Sequence, residues 1–80
     1  MNAIQRTILI KLCRRCCWGA KHTSFENLPK GFPKHLRGQV KNEAEELIRR
    51  GYLMKKPISY GLEVSLNPAM KFEIDEITRE

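Results

Sequence analysis

Apolar residues near the start of the chain recur with the period of a helix. Over residues 3–17 they lie three or four positions apart and share one side of a helical projection: Ile4, Ile8, Leu9, Leu12, Cys13 and Cys16. Arginines at positions 6, 14 and 15 lie off this stripe. The pattern predicts an amphipathic helix over residues 3–17. We expect it to end at Trp18-Gly19, because glycine adopts a left-handed conformation at little cost.

The segment TSFE at residues 23–26 matches a capping box. In this motif the Thr23 side chain accepts a hydrogen bond from the third residue's N–H, while Glu26 reaches back to the first. A short second helix is therefore predicted to begin near Ser24. Pro29 and Gly31 should limit it to about two turns, since proline clashes with the preceding turn.

The strongest helical pattern covers residues 33–50. Pro33 suits a first helical position, and Gly51 suits the position just after the last turn. The apolar residues of this segment fall on one face at 100° per residue: Leu36, Val40, Ala44, Leu47 and Ile48. We predict a continuous third helix here, with the face opposite these residues in solvent.

After Gly51 the apolar period changes from that of a helix to that of a strand. Leu62, Val64 and Leu66 alternate with Glu63 and Ser65, which predicts a strand with one buried face. Its partner should be 52–56, joined to it by the five-residue link PISYG at 57–61. Asn67-Pro68 closes the strand with an N-cap and a first-turn proline. A terminal helix over 68–79 follows, with Met70, Ile74 and Ile77 on one face.

This order of elements resembles a winged helix-turn-helix domain, over nearly the whole chain. The segments CWGAKHTSFENL (17–28) and EELIRRGYLMKKPISYGLEVSLNP (45–68) are similar to those of small single-domain winged-helix proteins of archaea. The resemblance implies a short strand at 20–22 that pairs with the wing. The predicted fold is thus α+β and mainly α, with three helices, a β-hairpin wing and a C-terminal helix in one domain over residues 1–80.

The resemblance also implies duplex DNA as ligand, with helix 33–50 in the major groove and wing 52–66 on the backbone. Arg37 or Lys41 would contact guanine or phosphate, Asn42 would read adenine, and Gly38 would allow close approach. The full predicted DNA-binding set is Lys34, His35, Arg37, Gln39, Lys41, Asn42, Lys55, Lys56, Ser59 and Tyr60. Such a domain would serve as a transcriptional regulator.

Acidic residues in the same helix favour a second interpretation. Glu43, Glu45 and Glu46 lie in its middle, and carboxylates facing phosphate are repelled. Glu43 lies near the buried edge and is expected to pair with another segment. The alternative function is a protein-interaction module that uses the acidic middle of this helix and the apolar terminal helix. RNA binding is a third possibility, and the terminal helix either packs on the first helix or forms a homodimer.

Charge is distributed unevenly along the chain. Residues 1–41 hold nine Lys or Arg and one acid, Glu26, whereas residues 42–80 hold six Lys or Arg and eight acids. The net charge is +6. A basic half of this kind favours a polyanion or an acidic partner, because fixed cations release counterions from phosphate. A solvated surface that aids solubility is the simpler interpretation of the same charges.

Three cysteines lie within five positions, at 13, 16 and 17. Cys13 and Cys16, with His22 or His35, suggest a metal site, but the cysteines continue an apolar stripe and are predicted to pack in the core, reduced. Trp18 is expected to pack rather than to stack on a base. No nucleophile motif or phosphate loop is present, so we expect no enzyme activity and no cofactor. The longest apolar run, Ile8 to Ile10, predicts no membrane segment and a cytoplasmic protein.

Overall fold

A computed structural model describes residues 1–79 of the chain, and these residues form three α-helices and one antiparallel sheet. The elements in chain order are α1 (Ala3–Arg14), β1 (Thr23–Ser24), α2 (Arg37–Arg49), β2 (Leu53–Ile58), β3 (Gly61–Leu66) and α3 (Lys71–Thr78). Single 3-10 turns at Phe25–Asn27, Lys34–Leu36 and Pro68–Met70 connect them. The α+β, mainly helical class predicted from the sequence is confirmed.

Helix α1 begins with a capping box and ends earlier than predicted. The Gln5 N–H donates to the Asn2 side chain at 2.8 Å, and the Gln5 side chain accepts from the Asn2 N–H. The helix ends at Arg14 rather than at residue 17, because Cys16 has a φ of 54° and the chain turns there. The Cys17 N–H then donates to the Leu12 carbonyl at 3.0 Å. As a result Cys17 is buried, whereas Cys16, predicted to be in the core, is exposed.

The predicted helix at residues 24–28 is one 3-10 turn, and the TSFE capping box does not form. Thr23 and Ser24 instead pair as β1 with Val64 and Glu63 of β3. Ser24 makes no side-chain capping bond to the turn that follows. Residues 23–24 thus pair with a distant strand instead of forming the local capping box. The short strand that the resemblance placed at 20–22 is present, but it lies at 23–24.

Helix α2 is present but begins later than predicted, at Arg37 instead of residue 33, and its end at Arg49 agrees with the prediction to one residue. Pro33 has a ψ of 147° and precedes a separate 3-10 turn at Lys34–Leu36, and Gly51, with a φ of 86°, follows the end of the helix. Val40, Ala44 and Leu47 are fully buried on the predicted face. The opposite face of α2 is therefore directed to solvent.

The hairpin has a shorter turn than predicted. Strands β2 and β3 pair from Leu53↔Leu66 to Ile58↔Gly61, which leaves only Ser59 and Tyr60 in the turn. Pro57 lies inside β2, and this strand tolerates proline because it is at the edge of the β1-β3-β2 sheet.

The end of β3 lies inside the molecule. Leu66 pairs with Leu53 on one side and bridges Trp18 on the other. Ser65, predicted to face solvent, is consequently buried. A simple alternation of apolar and polar residues could not reveal this, since it assumes that one face of the strand is open.

Helix α3 packs against α1. The Asn67 side chain caps the 3-10 turn that precedes α3, by accepting from the Ala69 N–H at 3.0 Å. Ile74 is fully buried, and the Arg6 Nε donates to the Ile77 carbonyl at 3.0 Å. Of the two roles predicted for this helix, packing on the first helix is thus present, and the homodimer stays a prediction. Within residues 1–79, the helices are too short or too polar for a transmembrane span.

Candidate nucleic-acid interface

The start of α2 presents an open polar face. We call this face the helix patch and define it by five exposed side chains: Lys34, His35, Arg37, Gln39 and Asn42. Gly38 lies among them, and a Cβ placed on it would meet no atom within 4 Å. All five belong to the DNA-binding set predicted from the sequence. The apolar face of α2 holds the helix to the core, so the helix patch remains accessible to a ligand.

The positive charge of the helix patch is not neutralised by any described residue of the chain. No acidic side chain of residues 1–79 forms an ion pair with Lys34, His35 or Arg37. The first turn of α2 contains no acid, and Leu36 provides no side-chain cap. The positive end of the helix dipole adds to these cations. The potential at this end of α2 therefore favours a negatively charged ligand.

Lys41, also predicted to contact DNA, differs from the residues of the helix patch. Its Nζ lies 2.7 Å from the Glu26 Oε2, and its side chain is 42% exposed. To contact a phosphate, Lys41 would have to leave this carboxylate. It is therefore a weaker candidate than Arg37, which has no acidic partner in the described chain.

The acids in the middle of α2 are mostly occupied by other residues. Glu43 accepts a hydrogen bond from the Gln5 Nε2 at 2.9 Å, which confirms that it pairs with another segment. Glu46 binds the Arg49 Nη1 at 2.6 Å. Glu45 alone of the three is exposed and has no ion pair among residues 1–79. Of the three, only Glu46 is neutralised by a cation of the described chain. Glu43, whose partner is a neutral amide, and Glu45 keep their negative charge, so two of the three carboxylates still oppose a phosphate.

The hairpin holds the remaining predicted residues. This hairpin patch consists of Lys55, Lys56, Ser59 and Tyr60; all four are exposed, and Tyr60 is 88% exposed at the turn. Lys56 lies across from Glu63, whereas Lys55 lies across from Val64 on the other face. In the described part of the chain, no hydrogen bond or ion pair joins the hairpin patch to the helix patch. The structure therefore presents two basic surfaces, each on its own element.

Lys30 is a cation that the sequence did not assign to the site. With Arg37, Gly38 and Lys41 it lines a depression of about 310 Å³ beside Glu26 and Pro29. It also lines a second pocket, whose other basic residues are Lys11, Arg14 and Arg15. These last two arginines lie at the end of α1 and were predicted only to lie off its apolar stripe. Lys30 lies between the basic residues of α1 and those of α2, since it lines both pockets. The sequence signal for an exposed lysine here was its position between Pro29 and Gly31 in a turn.

The cysteines occupy three different environments. Cys17 is buried, Cys13 is partly buried and donates to the Thr78 hydroxyl at 3.9 Å, and Cys16 is exposed. Burial raises the pKa of the Cys13 thiol, which lowers its thiolate fraction at neutral pH. In residues 1–79 no three His, Cys, Asp or Glu side chains converge as metal ligands. Trp18 is partly buried with the Lys71 ammonium 5.0 Å from its ring centre, as expected for packing.

Comparison with known proteins identifies no relative. The sequence matches no protein-family model, no curated protein and no solved structure. The function of this chain must therefore be inferred from its own residues and their geometry.

Proposed function

We propose that this chain is a winged-helix domain that binds duplex DNA through α2 and the β2–β3 hairpin. The observation that carries the proposal is the exposed start of α2, where Lys34 and Arg37 have no acidic partner among the described residues. The order of elements agrees with a winged helix in having a helix, a short strand paired with the hairpin, a helix, the hairpin and a terminal helix. It departs from a winged helix at the second helix, which is here a single 3-10 turn at Phe25–Asn27.

The helix patch has the shape and chemistry for a major groove. A groove about 12 Å wide admits one α-helix, and the 13 residues of α2 are attached by one face only. Arg37 can bind guanine or phosphate, and the Asn42 amide can form a bidentate pair with adenine. Gly38 lets the helix backbone approach the bases, since no side chain projects there. The hairpin patch supplies two lysines and an exposed tyrosine for the sugar-phosphate backbone.

We propose transcription regulation as the role, with a homodimer on a palindromic site as one form. The apolar stripe of α3 is largely used inside the molecule, where Ile74 is fully buried. Phe72, which is 75% exposed, is the apolar side chain of α3 that remains for contact with a second copy. Dimerisation would place two α2 helices on successive half-sites.

Charge reversal within the helix patch tests the proposal. Arg37→Glu should lower affinity for a mixed-sequence duplex by about tenfold or more at low salt, since a cation at a phosphate becomes a repelled anion. Lys34→Glu should act in the same direction. The measurement is fluorescence anisotropy of a labelled duplex at about 50 mM salt, with thermal unfolding to show that both variants are folded.

The matched control is Arg79→Glu, which makes the same charge change at the end of α3. Arg79 is exposed and pairs with Glu76 on that helix. We expect its duplex affinity to stay close to that of the unmodified chain. Equal losses in all three variants would mean that net charge alone determines binding, and unchanged affinity in Arg37→Glu and Lys34→Glu would remove α2 from the interface.

A protein-interaction module is the second candidate. It is favoured by two exposed features that a duplex does not need: Glu45 on the open face of α2 and Phe72 on α3. If the unmodified chain binds neither duplex DNA nor duplex RNA at low salt, this candidate replaces the first. Binding of RNA in preference to DNA would select the third.

A further inference from the structure

A pocket between α1 and the turn at residues 27–31 combines an apolar floor with a basic rim. Its volume is about 420 Å³, which is within the range of small-molecule sites. Ile8, Leu12 and Leu28 lie beneath the floor, and only Leu28, which is 8% exposed, reaches its surface to a useful extent. The methylene stems of the basic side chains around it supply the rest of the apolar lining.

Three cations of the rim have no counter-charge in the described part of the chain. Lys11, Arg15 and Lys30 all line the pocket, and none of them forms an ion pair within residues 1–79. None of the acids among these residues lines the pocket. A neutral apolar ligand would cover this floor but would leave nearby cations partly desolvated without a counter-charge. The pocket is therefore complementary to a molecule that is apolar at one end and anionic at the other.

One cation of the rim is held in place by the turn. The Lys11 Nζ lies 4.5 Å from the Phe32 ring centre and 3.5 Å from the Lys30 carbonyl oxygen. Gly31 makes this position possible: its φ is 92°, and a Cβ there would lie 2.6 Å from the Lys11 Nζ. The ammonium group is thus positioned over the turn instead of extending freely into solvent.

We propose that this pocket binds a small amphiphilic anion, a carboxylate or phosphate attached to an apolar body. The apolar body would cover Leu28 and the methylene stems beside it, and the anionic group would bind Lys11, Arg15 and Lys30. Burial of the apolar part supplies affinity, and the charged rim selects the anion. The site lies outside the helix and hairpin patches and needs neither of them to bind DNA.

Three probes of different chemistry test the proposal on the unmodified chain. Octanoate has both parts of the expected ligand, 1-octanol lacks the charge, and acetate lacks the apolar body. We expect saturable amide shifts at residues 8–15 and 27–31 with millimolar octanoate. Binding of octanol should be about tenfold weaker or more, because the charge-assisted bonds are lost, and acetate should give no saturable shift.

Variants locate the site. Asn27→Trp places a large ring in the pocket without changing the core, and it should abolish octanoate binding. Lys11→Gln should weaken it about tenfold, whereas Lys21→Gln, an exposed lysine outside the pocket, should not. No localised shift with octanoate would overturn the proposal, as would equal responses to octanoate and octanol. A response to acetate equal to that to octanoate would also overturn it, because the rim would then act as a simple anion surface. None of these results depends on whether the chain binds DNA.

Discussion

Two glycines, one inside α2 and one just after it, meet opposite backbone requirements. Gly38 lies in the helix with open space where a side chain would project. Gly51 lies just after the helix with a φ of 86°, a conformation that residues with a Cβ rarely adopt. The first glycine therefore costs helix stability, and the second allows the chain to turn into β2.

Alanine at these two positions should have opposite effects on stability. Gly38→Ala should raise the free energy of unfolding by about 0.5–1 kcal/mol, since alanine loses less backbone entropy in a helix. Gly51→Ala should lower it by about 1 kcal/mol or more, since the left-handed conformation is strained for alanine. Urea unfolding measures both changes. A loss of stability in Gly38→Ala would contradict the open environment of that glycine.

At the scale of elements, one residue joins three parts of the fold. The Asn67 Oδ1 caps the turn before α3, and its Nδ2 donates to the Gly51 carbonyl at 2.8 Å. The Asn67 N–H also donates to the Tyr52 carbonyl. The side-chain amide of Asn67 therefore joins Gly51, just after α2, to the turn before α3, and the backbone N–H of the same residue adds a separate bond to Tyr52.

Asn67→Ala should lower the free energy of unfolding by about 1–2 kcal/mol, because it removes a cap and a partly buried hydrogen bond. Asn67→Asp should cost less, since an aspartate keeps the capping acceptor while losing the donor to Gly51. Thermal or urea unfolding compares these variants with Asn42→Ala, which changes an exposed asparagine of α2. Equal stability of Asn67→Ala and Asn42→Ala would show that the junction does not depend on this amide.

At the scale of the whole molecule, the uneven charge of the chain becomes a distribution in space. The basic residues at the end of α1 and those at the start of α2 share Lys30, which lines a pocket with each group. The acids of the second half are partly used within helices, as in Lys71–Asp75 and Arg79–Glu76. The positive field thus extends from α1 past Lys30 to the helix patch.

Such a field predicts a strong salt dependence of duplex binding. If about six phosphates are contacted, affinity should fall about 10³-fold between 50 and 200 mM salt, because each contact releases condensed counterions. Duplex titrations at several salt concentrations give the slope. A flat salt dependence would contradict the proposed function and would favour a protein partner.

Elements whose signals are local could be predicted from the order of the residues alone. The period of apolar residues placed α2, the hairpin and most of α1, and Asn67-Pro68 placed the start of the last helix. Because α2 has a single apolar face, its pattern also indicated that Lys34 and Asn42, on the opposite side, would be exposed. Arg37 lies at the flank of the apolar face and is exposed as the first residue of the helix. No distant residue was needed for these predictions.

Features that depend on contacts between residues far apart in the chain became visible only in the folded molecule. Pairing with β3 made residues 23–24 a strand and left their capping box unused. Lys41 forms an ion pair with Glu26, 15 positions away, and Glu43 accepts a hydrogen bond from Gln5, 38 positions away. The pocket of apolar floor and basic rim likewise arises where α1 meets the turn at 27–31. A local pattern fixes which way a side chain points from its own element, whereas its partner is fixed by the packing of one element on another.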